Sequence, residues 1–340
     1  MLIWIIDEEW TNYDLEKEYL PKVFKNVEIK ISNYDYKKDL EEFGSKVDAI
    51  LAQVYADIPR DTIEKLDNCK VISTYGGGYD RIDLEACKEK GIRVTNIQGY
   101  CAEDLADYVL AAIYHFNKKI QFYSDTCLEN VKKGKWGSLV IEEPKHRISE
   151  ENLVIVGFGA IGKAVAEKAK HTGINIYAID DFLSEDEIAE YGVKKVSWDK
   201  GFSIADYVSV NLKGIDANKD KISMKEFKMM KKSSYIINTS RGKVIKEKDL
   251  IEAIKNKEIE GAILDVITNE PPKGNEEILH QRDILVTPHI SYISIESMKA
   301  LKEFALGNLE AVLKGKKPRD PVIWFICRIV GNGMVGNDKR

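Results

Sequence analysis

One unit constrains this chain more than any other. The apolar run Leu153-Val154-Ile155-Val156 stops at Gly157-Phe158-Gly159-Ala160-Ile161-Gly162, and a helical pattern follows to about Thr172. A second apolar run, Ile174-Asn175-Ile176-Tyr177-Ala178-Ile179, ends at Asp180. The spacing predicts strand, glycine turn, helix, strand and acid, which is the order of a dinucleotide cradle. Gly157 allows the tight turn, Gly159 lets backbone approach a pyrophosphate, and Gly162 lets helix and strand pack closely. The helix start offers free N–H groups and a partial positive charge to phosphates. A carboxylate at Asp180 suits the ribose hydroxyls and repels a 2′-phosphate, so NAD (as NADH) is expected ahead of NADP. Asp181 is an alternative ribose ligand, because the alternation of the strand does not choose between the two.

Short β-rich runs alternate with helical patterns along most of the chain. Leu2–Ile6, Val27–Ile31, Ala49–Ala52, Val71–Thr74 and Arg93–Asn96 read as strands. From residue 153 the pattern repeats, with Tyr207–Leu212, Tyr235–Asn238, Gly261–Asp265 and Ile284–Thr287 as later strands. Such alternation predicts an α/β protein of two doubly wound parallel-sheet domains. Ala102–Phe116 and Ile295–Leu313 read as two long helices joining the domains, with a cleft between that can open and close. The expected division is residues 1–100 with 297–325 as a substrate domain, 101–296 as a dinucleotide-binding domain, and 326–340 as a disordered or non-native tail. The apolar run Pro321–Val330 has three readings: packing on the N-terminal sheet, pairing with another subunit, or a non-native end.

Composition narrows the class. The 340 residues are 44% hydrophobic and 31% charged with a net charge of −5, the balance of a globular protein without a basic stripe for nucleic acid. The start, Met-Leu-Ile-Trp-Ile-Ile-Asp, lacks a basic leader and reads as a strand, not a signal peptide. No apolar stretch is long enough to cross a bilayer, so no membrane partner is expected. The five cysteines are scattered without a Cys-x-x-Cys pair, as expected of reduced thiols in a cytoplasmic protein. The five histidines show no ligand spacing, so no metal site is predicted.

Three polar residues follow predicted strands of the second domain, where open α/β sheets place their ligands. They are Arg241 after Tyr235–Ser240, Glu270 after Gly261–Asp265, and His289 after Ile284–Pro288. Each alone reads equally as an ordinary loop residue. On three successive strand exits they form a candidate cation, carboxylate and imidazole set.

The segments around them resemble a known family. Asn238-Thr239-Ser240-Arg241-Gly242, Leu264-Asp265-Val266 with Asn269-Glu270-Pro271, and Thr287-Pro288-His289-Ile290-Ser291 resemble the signatures of the D-2-hydroxyacid dehydrogenases. Ser73–Asp83, containing Tyr75-Gly76-Gly77-Gly78, resembles that family's substrate loop, and Gly91–Asn96 the strand after it. The likeness spans roughly residues 45 to 320. Tyr100–Asp107 leans toward the branch of the C-terminal-binding-protein corepressors and their bacterial relatives.

The resemblance implies an NAD-dependent oxidoreductase that reduces a 2-oxo acid to a D-2-hydroxy acid, reversibly, as a homodimer. It implies His289 as general acid–base, Glu270 as its partner favouring the charged imidazole, and Arg241 as the clamp on the substrate carboxylate. Tyr75, Gly76, Gly77 and Gly78 are implied in substrate binding, with backbone N–H groups offered to the same carboxylate, and Tyr292 as a pocket wall. Asp265 is implied to accept from the nicotinamide carboxamide. Asn211, Leu212, Thr239 and Ser240 join the glycine loop in cofactor binding.

The chain also departs from the family. Thr74 stands where relatives often have Arg. Arg81 replaces a usual Asn, either adding charge for a larger acid or facing solvent. Lys213 replaces a common proline near the adenosine; it could favour a 2′-phosphate, though a solvated loop lysine is the plainer reading. Gly77 stands where a branched residue is common and widens the pocket mouth. Two other readings of the same residues are a dinucleotide-sensing corepressor-like module and a phosphoglycerate-type dehydrogenase.

Overall fold

The structure is a computed structural model that describes residues 1–10, 12–141 and 143–324. The expected tail at 326–340 lies outside these. The strands are β1 Leu2–Ile6, β2 Glu28–Ser32, β3 Ala49–Gln53, β4 Val71–Tyr75, β5 Arg93–Thr95, β6 Asn152–Val156, β7 Asn175–Ile179, β8 Lys194–Lys195, β9 Tyr207–Val210, β10 Tyr235–Asn238, β11 Gly261–Leu264, β12 Ile284–Val286 and β13 Pro321–Ile323.

The chain divides into two compact units, Met1–Tyr100 with the segment from Ser294, and Cys101–Ile293. The second crossing falls a few residues ahead of the expected 296/297. Ser294 belongs with the helix Ile295–Leu313, because it caps it through a reciprocal hydrogen-bonded box with Ser297.

In the first unit the sheet order is β13-β5-β4-β3-β1-β2, parallel except for β13. Alternate residues of β1 enter opposite cores. Trp4 and Ile6 pack with Ile50, Ile72 and Val94 on one face. Ile3 and Ile5 pack with Leu51, Val71 and the helix residues Leu301, Ala305 and Leu309 on the other. Burial on both faces explains the continuous apolar strands. Of the three readings of the 321–330 run, its described part takes the first: Pro321–Ile323 adds to the sheet antiparallel to β5.

In the second unit the order is β12-β11-β10-β9-β6-β7-β8, all parallel. The chain runs outward from β6 in both directions, which leaves a topological switch point between β6 and β9, at the glycine turn. Ile155 and Leu153 pack with the helix Ala102–Lys118 through Ala106, Val109, Ile113 and Phe116. Val154 and Val156 face the opposite core. A further helix, Ile120–Lys132, follows at once and buries none of its residues. Its side chains and those just beyond it leave Ile120, Phe122, Leu128, Val131, Trp136 and Leu139 exposed. No helix among the described residues is long and apolar enough to cross a membrane.

Candidate active site

The site of the second unit forms along the carboxyl ends of its strands. At the turn after β6, Gly157 adopts φ +91°, and a Cβ there would meet the Asn211 carbonyl oxygen at 2.8 Å. A Cβ at Gly162 would meet the Gly157 carbonyl oxygen at 2.3 Å, so the helix Ala160–Ala169 lies directly on the turn. Gly159 has open space where its side chain would be. The N–H groups of Ala160, Ile161 and Gly162 are the first of the helix and have no carbonyl within it. Phe158 places its ring in the core, and its N–H donates to Asp180 Oδ2 at 2.9 Å.

Asp180 also accepts from the N–H groups of Phe182 (2.9 Å) and Leu183 (3.0 Å). Burial works to raise its carboxyl, but these three N–H groups, with Lys195 nearby, hold it below the ordinary carboxylate value. Asp181 is exposed and lies 3.7 Å from Lys221. Of the two acids, Asp180 is therefore the one turned toward the glycine loop. Lys213 is exposed in the loop after β9, and its carbonyl accepts from Asn218 at 2.9 Å.

Two neighbouring strand exits carry buried polar atoms without a protein partner: Asn211 Oδ1 after β9 and Thr239 Oγ1 after β10. Buried acceptors and hydroxyls are rarely left unmet, so each points to a ligand or water. Leu212 packs against the Gly157 turn. The glycine cradle, Asp180 and these two atoms together fit a dinucleotide. Asn211 and Thr239 would hold its middle and Asp180 its ribose end.

The loop after β10 is stapled by Asn238. Its Oδ1 accepts from Ser240 N (3.0 Å) and Ser240 Oγ (2.8 Å), and its Nδ2 donates to the Arg241 carbonyl at 3.0 Å. The Arg241 stem lies against Gly214, and its guanidinium donates to the Ser240 carbonyl at 2.8 Å. Gly242 is required by close approach, since a Cβ there would lie 1.9 Å from the Ile267 carbonyl carbon. This contact sets the Arg241 loop on the loop that carries Glu270.

Glu270 and His289 meet. Glu270 Oε2 lies 3.1 Å from His289 Nδ1, with the two side chains only 14% and 16% exposed. Glu270 Oε1 accepts from the Ile267 N–H at 2.9 Å, so both oxygens are aimed. The Tyr292 ring stands edge-on to the imidazole at 6.0 Å. His289 itself adopts φ +53°.

Asp265 holds the backbone that carries His289. It is 1% exposed and accepts from Thr287 Oγ1 (2.6 Å), Ile290 N (2.9 Å) and Ser291 N (2.8 Å), while its carbonyl accepts from His289 N at 2.9 Å. Most of its lone pairs are thus used inside the protein, a role the sequence did not disclose. Tyr108 extends the chain by donating to Thr287 Oγ1 at 2.5 Å, since Thr287 gives its own proton to Asp265. Burial and the Asp265 charge push the Tyr108 hydroxyl up to about 12, so it stays a donor at neutral pH.

Two first-unit residues take other places than those expected. Tyr75 is buried, with its hydroxyl donating to Glu16 at 2.9 Å, which leaves only backbone to meet a ligand. Burial and the Glu16 charge push that hydroxyl well up from its ordinary value. Arg81 is taken up by its own unit: it donates to the Tyr55 carbonyl at 3.3 Å, lies 3.6 Å from Asp57 and covers the Tyr55 ring.

Comparison with known proteins bears on the family and the fold. Residues 110–291 match the family model described as D-isomer specific 2-hydroxyacid dehydrogenase, NAD binding domain. The chain is 30% identical to a hydroxypyruvate reductase of Blautia hydrogenotrophica, over 82% of this chain and 86% of that protein. It is similar in structure to the D-lactate dehydrogenase of Aquifex aeolicus, solved with NAD and lactic acid (TM-score 0.81, 26% identity, 92% of this chain and 96% of that one). It is also similar to a 2-hydroxyacid dehydrogenase of Ketogulonicigenium vulgare (TM-score 0.77, 25% identity, 95% and 98%). With a family model matched over more than half its length, this chain belongs to the D-isomer specific 2-hydroxyacid dehydrogenases.

Proposed function

We propose that this protein reduces a small 2-oxo acid to its D-2-hydroxy acid with NADH, and runs the reverse reaction with NAD. The observation that carries the reading is the His289–Glu270 pair at 3.1 Å, on loops packed against Arg241-Gly242 at the carboxyl edge of a dinucleotide-binding sheet.

Bound NADH supplies the hydride. Arg241 offers its planar fork to the acid's carboxylate and polarises the 2-oxo group. His289 gives a proton to the carbonyl oxygen as negative charge develops there. Glu270, aimed through Oε2 at Nδ1, orients the ring, so that Nε2 faces the substrate. In the reverse direction the same nitrogen takes the proton back. Asp265 holds the His289 backbone through the 287–291 segment, and Tyr292 closes one side. The N–H groups of Gly159, Ala160 and Ile161 would receive the pyrophosphate, and Asp180 the ribose, which favours NAD over NADP. The Gly76–Gly78 loop is assigned to the acid's carboxylate.

The relatives named for hydroxypyruvate and for lactate support a short 2-oxo acid, and the panel to try is glyoxylate, pyruvate and hydroxypyruvate. The protein with NADH and each acid should consume NADH. Tight NADH binding with no consumption across the panel and its longer homologues would defeat the reading.

The exposed apolar arm around Ile120–Lys132 further supports a homodimer, since a patch of that kind is seldom left to water.

A further inference from the structure

The first unit contains a clamp on the Gly76–Gly78 loop, and it is built from side chains with no part in the reaction described above. Gly76 O accepts from Thr74 Oγ1 and from Ile97 N, both at 2.9 Å. Gly77 O accepts from Asn96 Nδ2, also at 2.9 Å. Thr74 and Asn96 are 2% and 3% exposed.

The consequence follows from peptide geometry. Both glycine–glycine peptides are trans, so each N–H points opposite to the carbonyl of its own plane. Holding Gly76 O and Gly77 O against β4 and the strand-end residues Asn96 and Ile97 turns the N–H groups of Gly77 and Gly78 the other way. Neither N–H has a protein acceptor among the described residues. Two successive outward N–H groups form an anion-binding concavity.

Asn96 is itself held. Its carbonyl accepts from Asn308 Nδ2 at 3.0 Å, and its N–H donates to the Asp320 carbonyl at 3.2 Å. Asn308 Oδ1 accepts from Arg319 N at 2.9 Å, which ties the helix Ile295–Leu313 and the segment after it to the loop. Asn96 Oδ1 is buried without a partner. A buried amide that meets only its donor side is costly, so its position is set by the bond to Gly77 and not by general satisfaction.

We propose that Asn96 and Thr74 are positioning residues for substrate carboxylate binding: they fix two carbonyls so that the Gly77 and Gly78 N–H groups face the acid. This rests on the 2-oxo acid reading above. Their effect is on acid binding, not on the hydride step or on the dinucleotide.

The test uses the full chain with NADH, the best acid of the panel, and two variants. Asn96→Asp replaces the donor by a charged oxygen facing the Gly77 carbonyl. Thr74→Val removes one hydroxyl at nearly constant shape and guards against a variant that fails to fold. Each should raise KM for the acid about ten-fold while kcat and the NADH Kd change less than about three-fold. Hydrogen exchange at the Ile97 amide, which donates to Gly76 O, should speed up about ten-fold while that of Ala49–Gln53 is unchanged. A kcat loss or an NADH loss equal to the KM change would show a general structural role and overturn the proposal, as would unchanged KM in both variants. If the unaltered protein reduces no acid, the reaction reading is what has failed. The clamp is then judged by exchange: unchanged Ile97 exchange in both variants overturns it, and selective loss of protection sustains it.

Discussion

Glu270 spends one oxygen on the Ile267 N–H and the other on His289, so its side chain has a single working pose. Two residues acting as one unit lose function non-additively. His289→Asn should lower kcat on the order of 10²–10⁴-fold with NADH binding unchanged. Glu270→Gln should cost less, and the double variant should be no worse than His289→Asn alone. Steady-state kinetics of the three variants check this; equal and additive losses would mean that the two act separately. The identity of these residues was legible in the chain because each stands just past an apolar run and within a familiar segment. The roles of Asp265, Tyr108 and Asn238 were not. Each depends on a partner brought by folding, such as Ile290 on Asp265, and no local pattern announces that. Tyr75 is the converse case, a polar ring beside a glycine loop whose hydroxyl is spent on a buried acid.

Most strands were legible because parallel sheets bury both faces and leave continuous apolar runs; β8, the short edge strand Lys194–Lys195, was not, having no apolar run. The helix Ile120–Lys132 was not, because it buries nothing within its unit and its apolar residues have no partner that marks a face. At the glycine turn, an element boundary does chemical work: Asp180, just past β7, draws in Phe158 N–H and the two N–H groups that follow it. Folding lowers this carboxyl, so its stabilising contribution is complete above the ordinary carboxylate range and is lost as pH falls through the lowered value. Asp180→Asn should therefore reduce thermal stability at neutral pH, and the gap to the unaltered protein should close in acid. A gap that widens on acidification would contradict the assignment. The same variant should weaken NADH binding and narrow its lead over NADPH by about ten-fold, removing the repulsion of a 2′-phosphate.

At the scale of the molecule, each unit is a complete doubly wound sheet with its own two-sided core, and the His289–Glu270 pair lies in the unit from Cys101 to Ile293. The arm beyond Lys118 exposes Trp136 and Ile120 at 71% each, the feature that supports the proposed dimer. Sedimentation should give a dimer for the unaltered chain, and Phe122→Glu with Leu128→Glu should give a monomer; a monomer from the start would remove the arm from the account. The central claim concerns where a hydrogen goes. Carried out with NADH deuterated on the transferring face and the preferred 2-oxo acid, the reaction should yield a D-2-hydroxy acid bearing one deuterium at C2, seen by mass and by NMR, and His289→Asn should yield almost none. Hydroxy acid without label at C2, or label left wholly on the dinucleotide, would contradict it.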